Sequence, residues 1–404
     1  MDEDIYLHKT IDYRAYGHTL RFRTSQELFS SYDIDTGTRF LLRSIVENEL
    51  DISKLILDIG CGYGPLGLTL KKLNPESEVH LVDRDALAVS YSRQNAELND
   101  LTVPDIYGSL GYDNVKRTDF DLLVSNIPGK AGESLIAHFL REAGYYLAPG
   151  GMVAIVVVNP LEDMVAEMLE NTPGVEIVNR RKRSGHSVFH YRFNNLGIEK
   201  PVSSGLERGV YNREEMTVRA GNSSYTIQTA YGLHEFDTLS YQTEMLLQAL
   251  NTTALPAVVN RAVVFNPGQG HIPVALWKMV QPQNIFLIDR DLLALRYSQH
   301  NLRLNDCPSE RVKILHGVGA DLESEENTDL FIGVLREEEG RKANYRLVAA
   351  AAVGLSPQGM IILAAGSTAI TRLVADLESQ SVLRIITREK RKGNGYLVLQ
   401  RISI

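Results

Sequence analysis

Asp58-Ile59-Gly60-Cys61-Gly62-Tyr63-Gly64 is the stretch on which the fold turns. It closes a short apolar run, residues 55–59, and leads into helix-forming residues 67–72. Three glycines let the backbone turn tightly and approach a ligand with no Cβ in the way. The helix behind them offers free N–H groups at its start. Asp83 ends the next apolar run, residues 79–82. It stands about twenty residues on, the spacing at which a carboxylate reaches the hydroxyls of an adenosine ribose. A dinucleotide fold shares this geometry, but its fingerprint is G-x-G-x-x-G, and the turn here reads G-C-G-Y-G-P-L-G. An acid just ahead of the first glycine also suits a cationic amino-acid end better than a pyrophosphate. The pattern favours S-adenosylmethionine (SAM), with Asp58, Gly60, Cys61, Gly62, Tyr63, Gly64, Asp83 and Arg84 around it.

Outward from the turn, apolar runs alternate with helical spacing. Residues 86–98 carry a helical period, 120–125 and 152–158 read as strands, and 134–146 read as a helix between them. This alternation implies an α/β fold with a mostly parallel sheet covered by helices on both faces, which takes ligands at the carboxyl ends of its strands. The series occurs twice. VHLVDRDALAVSYSRQNAELND from Val79 is matched by IFLIDRDLLALRYSQHNLRLND from Ile285, with Asp83/Asp289, Arg84/Arg290, Asn95/Asn301 and Asn99/Asn305 identical. LFSSYDIDTGTRFLLRSI from Leu28 parallels LHEFDTLSYQTEMLLQAL from Leu233, and RRKRSGHSVF from Arg180 parallels REKRKGNGYL from Arg388. The offset stays at about 205–208 residues, which marks tandem duplication. A stretch rich in Gly, Ser and charge, from Asn194 to Gly209, reads as the join. The expected organisation is a catalytic domain at 1–198, a linker at 199–212 and a degenerate second copy at 213–404.

Composition narrows the classes. The 404 residues are 44% hydrophobic and 23% charged, with a net charge of -8. That excludes a disordered chain and a bulk polycation, so a nucleic-acid partner would have to be met by local basic patches. Two cysteines are too few for a disulfide framework or a four-thiolate zinc site. His186 and His190 have no evident partner ligand, and no metal is expected. The N-terminus lacks a basic segment followed by an apolar one, and the longest apolar runs are strand-sized. The expectation is a soluble cytoplasmic protein with no membrane partner.

The glycine turn, the acid after the second strand and SNIPGKAG after the third resemble the class I SAM-dependent methyltransferases of the methyltransferase small domain family. That family includes guanine-N2 methyltransferases of ribosomal RNA. Its third-strand motif is N-P-P, a variable residue, a basic residue, Ala and Gly; here it stands as Asn126-Ile127-Pro128-Gly129-Lys130-Ala131-Gly132. A second family motif is F-S, three variable residues, an aliphatic residue, then D-x-G-T, and it is matched from Phe29 to Thr38. The resemblance covers residues 20–193 and implies two tandem Rossmann-like domains, SAM as cofactor and ribosomal RNA or a ribosomal subunit as partner. It assigns the chemistry to Asn126, Ile127 and Pro128: the Asn126 side-chain oxygen and the Ile127 carbonyl would accept the two hydrogens of an exocyclic amine. The other readings are transfer to another amine or amide (adenine N6, a protein glutamine), or a scaffold that binds RNA or protein without catalysis.

The chain departs from the family at three places. Ile127 replaces the first proline, and Gly129 stands where many base methyltransferases carry an aromatic residue that stacks on the flipped base. Stacking then falls to another ring, with Tyr63 and Tyr112 as candidates. Ser109-Leu110 occupies the place of an acid that contacts the adenine, which leaves Ser109 as the cofactor contact there. On the substrate side the candidates are Phe29, Lys130, Arg181, Lys182 and Arg183, the last three in a basic segment that recurs near the end of each copy. In the second copy, pairing DIGCGYGPLGL with NPGQGHIPVAL sets Asn266 against Asp58 and Ile272 against Gly64. Val334-Leu335-Arg336 replaces Asn-Ile-Pro. That copy is expected to be silent, with Ile272 obstructing the cofactor.

Overall fold

The computed structural model of the chain describes residues 4–52, 54–183, 185–194, 200–220, 223–319, 327–377 and 382–402. It divides into a unit from Leu7 to Tyr211 and a unit from Asn212 to Ile404, with residues 4–6 clustering with the latter. Residues 1–3 and 403–404 of the expected domains, and 195–199 of the expected join, lie outside the described residues. Residues 200–211, most of the expected linker, pack on the first unit. Gly205 N donates to Asp113 Oδ1 at 2.9 Å, Arg208 pairs with Glu142 at 2.8 Å, and Tyr211 is buried.

The first unit begins with a hairpin, β1 (Lys9–Ala15) and β2 (His18–Thr24), followed by α1 (Thr36–Glu47). The alternating series is then β3 (Leu55–Ile59), α2 (Pro65–Leu73), β4 (Glu78–Asp83), α3 (Ala86–Leu98), β5 (Ile106–Gly108), β6 (Phe120–Asn126), α4 (Glu133–Glu142), β7 (Leu147–Val158) and α5 (Glu162–Glu170). A second hairpin, β8 (Val175–Lys182) and β9 (His186–Phe193), ends it. The seven-stranded sheet has the order β5-β4-β3-β6-β7-β9-β8, parallel except for the pairs made by β9. Strand order reverses between β3 and β6, so the crevice beyond their carboxyl ends is where such a sheet takes a ligand. Leu57, Ile59, Val82, Leu123, Val153, Ile155 and Phe189 form part of the core on one sheet face.

Two helix starts have a clear local cause. Asp85 caps α3, its side chain accepting from Leu87 N, and Pro65 occupies the first position of α2, where its missing N–H costs nothing. The helix expected over 134–146 stops at Glu142 and continues as a single 3₁₀ turn, Ala143–Tyr145. Gly144 abuts the Phe193 ring so closely that a Cβ there would meet it at 2.9 Å.

The β1–β2 hairpin lies outside the sheet and is held by α3. Asn95 Oδ1 accepts from Arg23 N at 2.7 Å while its Nδ2 donates to Arg23 O at 3.0 Å. Asn99 grips Arg21 in the same way, at 2.8 and 2.7 Å. Each amide thus substitutes for a neighbouring strand.

The second unit repeats this plan: β10 (Asn212–Ala220), β11 (Ser223–Ala230), α6 (Tyr241–Thr252), β12 (Arg261–Phe265), α7 (His271–Val280), β13 (Asn284–Asp289), α8 (Leu292–Leu304), β14 (Val312–His316), β15 (Thr328–Val334), α9 (Gly340–Gly354), β16 (Leu355–Gly366), α10 (Ser367–Leu377), β17 (Leu383–Arg391) and β18 (Asn394–Arg401). Its sheet order, β14-β13-β12-β15-β16-β18-β17, is that of the first. Asn301 and Asn305 clamp Gln228 and Thr226 of β11 as Asn95 and Asn99 clamp β2.

The pairing of the two glycine turns needs correction by two residues. Ser92 Oγ donates to Gly62 O and Asn95 Nδ2 to Tyr63 O; in the second unit Ser298 Oγ donates to Gly268 O and Asn301 Nδ2 to Gln269 O. Gly64 and Gly270 are the left-handed caps of α2 and α7, at φ 90° and 95°. Asn266 therefore stands at the place of Gly60, Val264 at that of Asp58, and Ile272 lies inside α7, clear of the turn. Glycines repeating every second residue match equally well after a slip of two, and hydrogen bonds to α8 break the tie.

Candidate active site

The glycine turn is pinned to the end of β4: Gly60 N and Cys61 N both donate to Val82 O, at 2.8 and 3.1 Å. Gly60 and Gly62 have φ of 71° and 59°, and a Cβ on either would meet nothing within 4 Å. The turn thus faces open space that side chains would fill, the cradle a nucleoside ligand requires. Gly62 N donates to Asp83 Oδ2 at 2.9 Å and Asp85 N to Asp83 Oδ1 at 2.9 Å, so the carboxylate is oriented before any ligand arrives. An ionised carboxylate accepts up to about four donors. Arg84 follows it, half-buried.

The structure separates the other turn residues from that open face. Asp58 is buried beneath the turn and its Oδ2 accepts from Gly67 N at 2.8 Å. Burial pushes its carboxyl up to about 7, against the pull of the Gly67 N–H, with nearby Asp83 adding to the rise. Asp58 braces the start of α2. Cys61 is buried against Ser92 Oγ at 3.6 Å, and burial raises its thiol, which fits space-filling. Ser109 is buried with its hydroxyl donated to Gly111 O at 2.6 Å; its backbone N–H, donated to Asp83 O, ties it to the site.

Asn126 ends β6 on the other side of the crevice. Its Nδ2 donates to Asp35 Oδ2 at 2.9 Å and to Thr38 Oγ1 at 3.1 Å. The same Asp35 oxygen accepts from Thr38 N at 3.1 Å and so caps α1. With both amide hydrogens engaged, Oδ1 is turned away from these partners. Ile127 is buried and donates its N–H to Val156 O at 3.0 Å, and Ala131 N closes the following turn on Pro128 O at 3.1 Å. Among the described residues, neither Asn126 Oδ1 nor the Ile127 carbonyl accepts a hydrogen bond. Two acceptors at adjacent positions are thereby available at the carboxyl end of β6.

Aromatic and basic candidates sort by burial and pairing. Tyr63 and Tyr112, both 2% exposed, are unable to stack on a base. Tyr63 uses its hydroxyl to hold the loop before α1, donating to Ser30 O at 3.2 Å, and Tyr112 stacks on Tyr146 with ring centroids 4.6 Å apart. Phe29, in that same loop, is 72% exposed. Lys130 is exposed. Arg181 pairs with Glu47 at 2.5 Å, Lys182 pairs with Glu162, and Arg180 pairs with Glu162 at 2.9 Å. Arg183 instead stands 5.3 Å from the Phe40 ring centroid. His190 is buried against Ser44 Oγ at 3.1 Å and burial pushes it down to about 4, a core histidine.

In the second unit the corresponding crevice is filled from within. Arg336 pairs with Asp289 at 2.5 Å and with Glu339 at 3.6 Å, and Arg290 lies 3.5 Å from Glu339. The remaining cavity, lined in part by Asn266, Asp289, Arg336 and Tyr6, is about 20 Å³, room for one water.

Residues 19–186 match the methyltransferase small domain family. The uncharacterized protein YbxB of Bacillus subtilis is 32% identical over 150 residues, 37% of this chain and 74% of that protein. The ribosomal RNA large subunit methyltransferase G of Shewanella loihica is 33% identical over 144 residues, covering 32% of this chain and 34% of that enzyme. The ribosomal RNA small subunit methyltransferase C of Hahella chejuensis is 34% identical over 142 residues, 34% of this chain and 40% of that one. The match thus spans well under half of either enzyme. Among solved structures, a T. thermophilus 16S rRNA N2 methyltransferase in complex with AdoMet and guanosine aligns over 98% of this chain and 99% of its own, with a TM-score of 0.66 at 18% identity. That likeness is one of fold, and it extends over both units. Among the described residues no helix is long and apolar enough to cross a membrane.

Proposed function

This chain belongs to the methyltransferase small domain family, and on that premise we propose that its first unit is a SAM-dependent methyltransferase acting on guanine N2 of ribosomal RNA in the cytoplasm. The names of the Shewanella and Hahella relatives support the ribosomal RNA substrate, and the likeness to the T. thermophilus enzyme supports the two-unit architecture. The observation that carries the reading is Asn126, whose amide hydrogens are held by Asp35 and Thr38.

When bound, SAM supplies an electrophilic methyl group on a sulfonium. Gly60 and Gly62 leave room for it, and Asp83 is oriented to receive its ribose hydroxyls. An exocyclic amine is a poor nucleophile, because its lone pair is delocalised into the ring. Asn126 Oδ1 and the Ile127 carbonyl accept its two hydrogens, which holds the nitrogen pyramidal with its lone pair aimed along the line of displacement. Pro128 stiffens the turn that carries the second acceptor. Positioning of this kind accounts for effective molarities of roughly 10⁵–10⁸ M without a strong base. Phe29, exposed in the loop that Tyr63 secures, offers the flipped base a ring, a contact of about 1–3 kcal/mol. Lys130 and Arg183, both exposed and without a carboxylate partner among the described residues, are available to phosphate, while Arg181 and Lys182 are paired with Glu47 and Glu162. The second unit serves substrate binding.

Replacing Asn126→Ala tests the assignment. SAM affinity is expected to persist and transfer to a competent RNA to fall about a hundredfold or more, the usual cost of removing one transition-state hydrogen bond. Unchanged transfer would sink the role given to Asn126.

A further inference from the structure

The closing hairpin recurs in both units as a basic segment, but its charges are compensated differently. In the first, Arg180, Arg181 and Lys182 are neutralised by Glu162, Asp163 and Glu47. In the second, Arg384, Arg388, Lys390, Arg391 and Lys392 are all exposed. Among the described residues none of these five pairs with a carboxylate. Arg388 Nη2 and Lys390 Nζ share Thr371 Oγ1 at 3.0 and 2.7 Å, Arg384 donates to Gln400, and Lys392 to the Tyr241 hydroxyl. The one acid in the hairpin, Glu389, points away from Arg388 and Lys390, onto the face it shares with Arg391, and accepts from the Tyr396 hydroxyl at 3.0 Å.

Placement adds to charge. Gly366, the last residue of β16, pairs with Asn394, and Ser367 N donates to Gly393 O at 2.8 Å. The Lys392–Gly393 turn therefore sits at the carboxyl edge of the sheet, the edge at which this architecture receives ligands. Arg388 and Lys390 converge on one hydroxyl, where like charges repel, and on a chain of net charge -8 the concentration of five cations in one hairpin needs a reason. A polyanion removes that repulsion and gains entropy from the counterions it releases.

We propose that the β17–β18 hairpin of the second unit is a docking surface for the phosphate backbone of RNA, so that one copy keeps the chemistry and the other supplies sequence-independent affinity. This rests on the RNA reading of the first unit. An acidic protein is the lesser fit, because the turn offers only donors and long flexible cations; the exposed Ile385 and Ile386 lie toward the other end of β17.

The test uses the full chain with Arg388→Gln, Lys390→Gln, Arg391→Gln and Lys392→Gln together. The probes are polyuridine, which contains no guanine, and deproteinised ribosomal RNA. Affinity for both is expected to fall about tenfold or more at physiological salt, and the slope of log K against log salt to shrink by about 0.7 for each charge engaged on a single strand. SAM binding and the rate at saturating RNA stay unchanged, while the KM for RNA rises. The charge-preserving pair Arg391→Lys and Lys392→Arg is expected to keep the wild-type slope, which separates charge from folding. If the wild type binds both RNAs and the Gln variant binds them equally well, the hairpin proposal is overturned and the RNA reading stands. If the wild type binds neither, the RNA reading itself falls. Unchanged RNA affinity with loss of binding to an acidic protein would overturn the proposal in favour of a protein partner.

Discussion

Asp35 Oδ2 holds two donors at one atom, the Thr38 N–H that starts α1 and the Nδ2 of Asn126. Were the Asn126 amide to flip, it would present hydrogens to the hydrogens of the substrate amine, and Asp35 with Thr38 excludes that state. A carboxylate accepting from Nδ2 also polarises the amide toward Oδ1, which strengthens the acceptor that faces the substrate. Asp35→Ala is therefore expected to lower kcat about tenfold to a hundredfold while SAM affinity stays within about twofold. Asp35→Asn should keep most of the rate, because its Oδ1 can take both donors. Steady-state kinetics beside a melting curve decides: a purely structural cap would lower Tm and leave kcat alone. The glycine turn and Asp83 were read from local spacing, and Asn126 from the resemblance of its motif to that of the family. The Asp35–Asn126 bond was not, since it joins β6 to a loop 91 residues earlier. Tyr63 and Tyr112 misled for a related reason: a count of aromatic residues carries no information on which rings are buried.

At the scale of elements, Asn95 joins three parts of the first unit, its own helix α3, β2 and the glycine turn. Its amide completes the hydrogen bonding of Arg23 in β2 and donates to Tyr63 O in the glycine turn at 2.9 Å. Truncation to alanine orphans these buried backbone groups, which amounts to about 2–4 kcal/mol. The Asn95→Ala variant should show accelerated amide exchange over residues 21–24 and weaker SAM binding through the loosened turn, both readable by exchange mass spectrometry and titration; unaltered exchange there would refute the clamp. The helix over 86–98 was read at both ends from its helical period, and the structure adds the Asp85 cap at its start. The β1–β2 hairpin went unread although Ile11, Tyr13, Leu20 and Phe22 alternate inward about a tight Tyr16-Gly17 turn; what the sequence does not show is that a helix some 72 residues away holds its edge. The pairing of the two glycine turns failed where the sequence repeats every second residue and recovered only from bonds to α8.

For the whole molecule, the filled crevice of the second unit predicts one SAM per chain by calorimetric titration, lost in Asp83→Ala; a second equivalent bound would contradict it. Duplication was plain in the sequence, and so was the loss of Asn126 and Ile127 from the second copy. The manner of silencing was not, because Val334-Leu335-Arg336 does not say that its guanidinium turns inward onto Asp289. That ion pair separates the two halves in how they depend on the cell. The first unit gains stability from a diffusible metabolite, in proportion to how far its supply exceeds its dissociation constant. The second carries the positive partner of its acid in its own chain, at a concentration that starvation does not change. A shortage of methyl donor would thus loosen the first unit and leave the second untouched.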